Sequence, residues 1–347
     1  MLVAVLAVRI YYCFCVPIHT TDILRNLGYG DAFPHFGLQI YDLSAFDLSP
    51  LPCQFLWPNH YYTYPAVTML LFSLISKIHA SIFFGKIVFT LFDAVNAYLI
   101  YKISRDKVCA LLFWANPLCI VYTSLEGQFE SFVVMTMLLS LFLLIHKSVF
   151  SCGLFSLSIQ TKLFPIFLFP TFYKHIRSMR PTNILISFFL FVLGWLPSLL
   201  FMFQSDYILH NFDFRYVPNT SPISWDLLDN GLYPYYPPWL VQSHWISGMI
   251  FILVCFYFMF RTKKIWEYLP ALLFVYFAKA SPLGQLWYFI LLPAFCITVT
   301  NQKERRILYV LSWLFGISAL FTICNYKIGY INPPDAYYLL QRCFWGI

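Results

Sequence analysis

Apolar residues come in long blocks along this chain, separated by short polar breaks. A bilayer core about 30 Å thick takes about 20 mostly apolar residues per helix. Blocks near that length fall at residues 1–18, 64–81, 83–101, 108–123, 129–146, 150–172, 182–203, 244–260, 266–280, 283–299 and 307–324. They predict an all-α polytopic membrane protein with roughly ten or eleven transmembrane helices, some of them short. Two polar stretches, 19–63 and 204–241, are long enough to form structured extramembrane loops. No repeat or low-complexity segment divides the chain, so residues 1–347 read as one membrane domain.

Composition sharpens this reading. The chain is 60% hydrophobic and 11% charged. A soluble domain carries about a quarter charged residues, so lipid must solvate most of this surface. Aromatics make up 21%, and Tyr and Trp favour the bilayer interface because one end is apolar and the other polar. The net charge of +7 is spread over short loops, and no basic stripe or nucleic-acid fold motif appears. That excludes a nucleic-acid partner. The 10 cysteines follow no metal or disulfide spacing, and Cys13 and Cys15 read as membrane thiols. The first block contains Arg9 and lacks a small-residue cleavage site, so it reads as a retained, tilted helix.

Lys and Arg in short loops set orientation. Three basic loops, around Lys174–Arg180, Arg261–Lys264 and Lys303–Arg306, read as cytosolic. The 204–241 loop, with the sequon Asn219-Thr220-Ser221, then lies on the outer or lumenal side, and 19–63 is assigned there too. Simple counting would place Lys102, Arg105 and Lys107 on that side as well, against the charge rule. A broken or re-entrant run would repair the count.

Ionisable groups inside apolar segments cost several kcal/mol and mark sites by default. Here they are Asp22 just beyond the first helix, Asp93 with Asn96, Glu126 with Gln128 and Glu130, Lys162, and Lys279. A carboxylate at the membrane surface can act as general base toward a hydroxyl. A lysine in an apolar wall attracts a phosphate strongly, because the local dielectric is low. Pro165 and Pro282 each follow such a lysine by three residues. Proline breaks a helix, and broken helices at membrane depth line polar cavities. The pattern therefore points to a pocket that holds an anion, beside a base on a juxtamembrane loop.

Each residue also has a plain structural reading. Asp22 can be a helix cap, and Lys162 can snorkel to the interface. Asp93 with Asn96 suits a helix-packing polar pair. Glu126 and Glu130 suit a solvated helix start. Lys279 can pair with a carboxylate for structure alone, and the aromatic 204–241 loop can be an interfacial belt.

At these residues the chain resembles the GT-C superfamily of polytopic glycosyltransferases. Asp22 stands soon after the first helix, with Tyr41-Asp42 downstream. Tyr62-Thr63-Tyr64-Pro65 resembles the Tyr-x-Tyr-Pro-Pro of that group, with Ala66 in place of the second proline. Trp114-Ala115-Asn116-Pro117, then Gly127-Gln128-Phe129-Glu130, resemble its Asn-Pro and Gly-Gln-Phe-Asp segments. Thr161-Lys162-Leu163-Phe164-Pro165 follows in order. The stretch Lys279–Pro293, with Gln285-Leu286-Trp287-Tyr288, is similar to a segment of GPI mannosyltransferase I catalytic subunits. Those carry an Asp-x-Asp pair. Here Thr20 and Leu24 flank a lone Asp22, as in the bacterial polyprenol-phosphate-mannose-dependent branch.

The resemblance implies a GT-C-like bundle and an inverting transfer of a sugar, most simply mannose. The donor would be a polyprenyl or dolichyl phosphate sugar, and the acceptor a lipid-linked sugar or glycan. It assigns the base to Asp22 and the donor phosphate to Lys162, Lys279 and Arg25. It assigns sugar and acceptor contacts to Gln128, Glu130, Tyr64 and Asn116. A phosphodiester donor carries little charge, so no divalent metal or other cofactor is expected. A small accessory membrane subunit is a further expected partner. The membrane would be the endoplasmic reticulum in a eukaryote and the plasma membrane in a prokaryote. Two other classes fit the same buried charges: a transporter or lipid flippase, and a non-catalytic scaffold that kept the fold. Ion-dependent flux marks the first, and tolerance of Asp22 and Lys162 replacement marks the second.

Overall fold

The computed structural model describes residues 2–17, 21–44, 61–62, 64–162 and 164–202, together with residues 48, 253 and 310. The 204–241 loop, Lys279 and, apart from residues 253 and 310, the four apolar blocks beyond residue 243 lie outside the described residues. Among the described residues the chain is helical without strands, and one antiparallel bridge joins Ser44 to Tyr61.

The apolar blocks among the described residues become helices. α1 is Leu2–Phe14. α3 is Ala66–His79 and α4 is Ile82–Ser104, which Ser81 caps by accepting from the Phe84 amide. The 19–63 stretch contributes a helix of its own, α2, Thr21–Phe36, which continues as a 3-10 turn over Gly37–Asp42. α2 lies along α3 so closely that a Cβ on Gly30 would strike the Phe72 backbone. Ser76 Oγ also donates to the Leu27 carbonyl, 3.0 Å.

The block at 108–123 is bent. α5, Lys107–Trp114, is capped by Asp106. After Ala115, α6 starts at Pro117 and passes into a π-helical turn over Ile120–Leu125. The two halves meet at 43°. α7 is Glu130–Ile145 and α8 is Phe150–Ile159. The block at 150–172 is not one helix. It stops at Ile159 because Gln160, Thr161 and Lys162 are polar and Pro165 cannot continue the ladder. A 3-10 turn, Phe164–Leu168, leads into α9, Phe169–Arg177. α10, Pro181–Gly194, and α11, Leu196–Met202, meet at 45°.

By length and composition, α4 is apolar enough among the described residues to cross a membrane alone. The count rises to three if each bent pair is one span. α1, α3, α7 and α8 are shorter apolar helices. The outer faces suit lipid: Leu185, Phe188 and Phe189 of α10 and Leu91 of α4 are exposed. The small polar side chains Ser131, Ser140, Ser151 and Ser158 are buried between helices.

The break in 150–172 also repairs the charge pattern. α8 and α10 run in the same direction, since Gly153 faces Leu190 and Gly194 faces Ser156. The chain between them must therefore return, and Phe172 of α9 stacks on Phe155 of α8 at 4.0 Å. The turns after α4, α7 and α9 then share one end of the bundle. Lys102, Arg105, Lys107, Lys147, Arg177 and Arg180 stand at that end. The reversals at 126–129 and 160–163 lie at the other.

Gln160 joins the two breaks. Its Nε2 donates to the Gly194 carbonyl at 2.5 Å, and its Oε1 accepts from the Ser198 amide at 3.0 Å. In a continuous helix those two backbone groups would bond to each other. The buried Gln160 amide is inserted between them, where the α10–α11 bend has parted them. Gly194 makes the approach possible, since a Cβ there would overlap Ser156 Oγ. Gln160→Leu strands a carbonyl and an amide in apolar surroundings. We expect it to lower stability by about 2–6 kcal/mol, at about 1–3 kcal/mol per stranded group. Thermal unfolding in nanodiscs measures this, and an unchanged midpoint would refute the bridging role.

Candidate functional site

Two buried cations build the frame. Arg9 of α1 is fully buried and pairs with Asp93 of α4 at 2.9 Å. Its Nε and Nη2 donate to the Trp114 carbonyl at 3.1 and 2.9 Å. Its guanidinium lies 4.2 Å from the Trp114 ring centre. That carbonyl is available because its helical partner, the Leu118 amide, donates instead to Asn116 Oδ1 at 2.9 Å. Asn116 is thus bonded at the α5–α6 bend, as the cap of α6. Asn96 donates to the Ser131 carbonyl at 2.8 Å. Asp93 and Asn96 therefore each bind a different neighbouring helix, consistent with a packing role.

Lys86 is the second cation. It is fully buried, and its Nζ donates to the Tyr12 and Cys15 carbonyls at 2.7 and 2.5 Å. A cation at the C-terminal carbonyls of α1 also matches the helix dipole. The Glu126 carboxylate is close enough to interact with it electrostatically.

Beside Lys86 the chain reverses through Glu126–Phe129. Gly127 holds φ at +69°, and a Cβ there would come within 2.5 Å of Ile23 Cδ1 and 2.9 Å of Lys86 Cγ. Only glycine allows this approach. The contact presses the first turn of α2 against the reversal. Asp22 is the second residue of that turn, where the helix dipole favours a carboxylate. Position 25 lies on the same helix face as position 22, three residues on.

The reversal delivers Glu130 to the break in α8. Lys162 Nζ lies 2.7 Å from Glu130 Oε1, with side chains 11% and 5% exposed. A group this buried is not a solvated helix start. The Phe129 and Tyr64 ring centres lie 5.4 and 5.7 Å from the same Nζ. The Arg25 guanidinium stands 5.6 Å from the Tyr64 ring. Tyr41 fixes this ring's segment by donating from its hydroxyl to the Tyr64 carbonyl at 2.8 Å. Thr68 fixes the break by donating to the Thr161 carbonyl at 2.5 Å. Tyr29, Tyr62, Tyr64 and Phe129 form a continuous run of ring contacts. Gln128 is buried in the same reversal.

The structure thus gathers Arg25, Tyr64, Gln128, Glu130 and Lys162 at one end of the bundle, beside the turn that carries Asp22. Asn116 sits instead at the α5–α6 bend. Lys86 escaped the sequence reading although it interrupts an apolar block as plainly as Lys162 does. The carboxylate partner of Lys162 and the insertion of Gln160 had no local signal. An apolar groove of about 350 Å³ between α1, α4 and α5, lined by Val3, Leu6, Ala97 and Ala110, lies toward the other end of α1 and holds none of these residues. Among the described residues, no three His, Cys, Asp or Glu side chains converge as a metal site requires.

No family model, curated protein or solved structure matches this chain.

Proposed function

We propose that this protein is an inverting glycosyltransferase of the GT-C type, with roughly ten or eleven spans, that uses a polyprenyl or dolichyl phosphate sugar. The observation that carries the reading is Lys162, whose side chain is 11% exposed. It stands at a helix break, walled by Tyr64 and Phe129, at the same end of the bundle as the first turn of α2. A cation in such a low-dielectric wall suits a phosphate that gains charge as its bond to the sugar breaks. Asp22 takes the proton of the acceptor hydroxyl. The acceptor oxygen bonds to the anomeric carbon with inversion, the carbon–oxygen bond to phosphate breaks, and the lipid phosphate leaves on Lys162. Arg25 and Lys279 add positive charge, and Gln128, Glu130 and Tyr64 contact sugar or acceptor. On this reading the role of the 204–241 loop, which lies outside the described residues, is to exclude water that would hydrolyse the donor. The donor is a mannosyl lipid and the acceptor a lipid-linked sugar or glycan. The basic end of the bundle supports a cytosolic assignment for that end, so the reaction faces the lumen or the cell exterior.

The test is transfer of radiolabel from polyprenyl-phosphate mannose to a crude lipid and glycan extract by purified protein in nanodiscs. We expect a labelled product. A donor that neither binds nor transfers would overturn the reading. The two bent helix pairs also fit a transporter or flippase, whose discontinuous helices surround a central site. Ion-dependent lipid flux in proteoliposomes, without transfer, would establish that alternative.

A further inference from the structure

The proposed phosphate site is already filled by an anion belonging to the chain itself. Glu130 Oε1 sits 2.7 Å from Lys162 Nζ, the separation a phosphate oxygen would take. The carboxylate is almost wholly buried, and its other oxygen, Oε2, has no hydrogen-bond partner among the described residues. A buried carboxylate oxygen without a donor is costly, and native structures leave few of them. Its presence beside a cation, at the break of α8, marks a place where one more hydrogen-bond donor is called for.

Two anions on one ammonium in a low-dielectric pocket repel each other. An incoming phosphate and the ionised Glu130 therefore compete for Lys162. We infer that Glu130 is a stand-in for the donor phosphate: the donor's phosphate takes its place on Lys162, and the displaced carboxylate accepts hydrogen bonds from the donor's sugar hydroxyls. A lipid phosphate without sugar offers no such hydroxyls and meets an uncompensated carboxylate. A glycosylated lipid phosphate satisfies both groups at once. The exchange would thus let the site favour the sugar-bearing donor over the spent lipid phosphate that remains after transfer. It rests on the reading of Lys162 as the phosphate site.

The experiment measures binding of geranylgeranyl phosphate and geranylgeranyl phosphoryl mannose to nanodisc-embedded protein by native mass spectrometry. The proteins are the wild type, E130Q and E130Q/K162M. E130Q keeps the side-chain shape while removing the competing charge and leaves the Lys162 ammonium without that carboxylate, and the double variant removes both charges. We expect E130Q to bind the sugar-free phosphate about tenfold tighter than wild type, as for removal of one nearby like charge. We also expect it to lose most of the preference for the mannosylated lipid, and the double variant to bind both lipids more weakly than E130Q. If E130Q matches wild type for both lipids while the double variant loses binding, the exchange is wrong and the phosphate site stands. If the double variant binds as tightly as E130Q, Lys162 holds no phosphate, and the exchange falls with that reading.

Discussion

Asp22→Asn is expected to reduce glycosyl transfer by about 10²- to 10⁴-fold, the range for loss of a general base, with donor binding and folding retained. The amide has nearly the shape of the carboxylate but cannot accept the acceptor's proton. The surroundings of position 22 make a purely structural loss easy to recognise. Asp22 is the second residue of α2, and its neighbour Ile23 packs against Gly127, beside the buried Lys86. As a purely structural residue in the first turn, Asp22 would act through the helix dipole, and its replacement by Asn would cost about 0.3–1 kcal/mol without touching turnover. Turnover and thermal midpoint therefore separate the two roles. A well-folded Asp22→Asn protein with full turnover would remove Asp22 from the chemistry. Loss of turnover at an unchanged midpoint would establish it as the base.

Arg9→Met carries the largest expected effect on stability. It leaves Asp93 buried without its partner, and breaking a buried pair by removing one member costs about 3–5 kcal/mol. The Trp114 carbonyl loses two donors at the same time, and its helical partner is already bonded to Asn116. The protein should unfold at a markedly lower temperature, or fail to accumulate. Replacing both members, as in Arg9→Met with Asp93→Leu, removes the stranded charge and should recover more than half of the loss, since buried pairs often exchange for apolar residues at little cost. Equal midpoints for Arg9→Met and wild type would show that the ion pair does not lock α1 to α4.

The sequence by itself determined where helices form and where one of them stops. The helices α1, α3, α4 and α7 follow the apolar blocks, because long, mostly apolar runs have no other way to satisfy their backbone in lipid. The end of α8 beside Lys162 was legible too, since polar residues followed by Pro165 act within a single turn. A polar pocket near Lys162 could also be read, because a charge in an apolar block demands a partner. The identity of that partner could not. Glu130 lies 32 residues from Lys162, and Asp93 lies 84 residues from Arg9. Local pattern carries no record of such distances. The helix in the first polar stretch was hidden for a related reason: α2 is mixed in polarity and is held by packing on α3, not by an apolar stripe of its own. The return of the chain between α8 and α10, which brings the basic turns to one end, was decided by Gly153, Gly194 and the inserted Gln160. Close contact between helices selects such an arrangement, and contact exists only once the tertiary structure has formed.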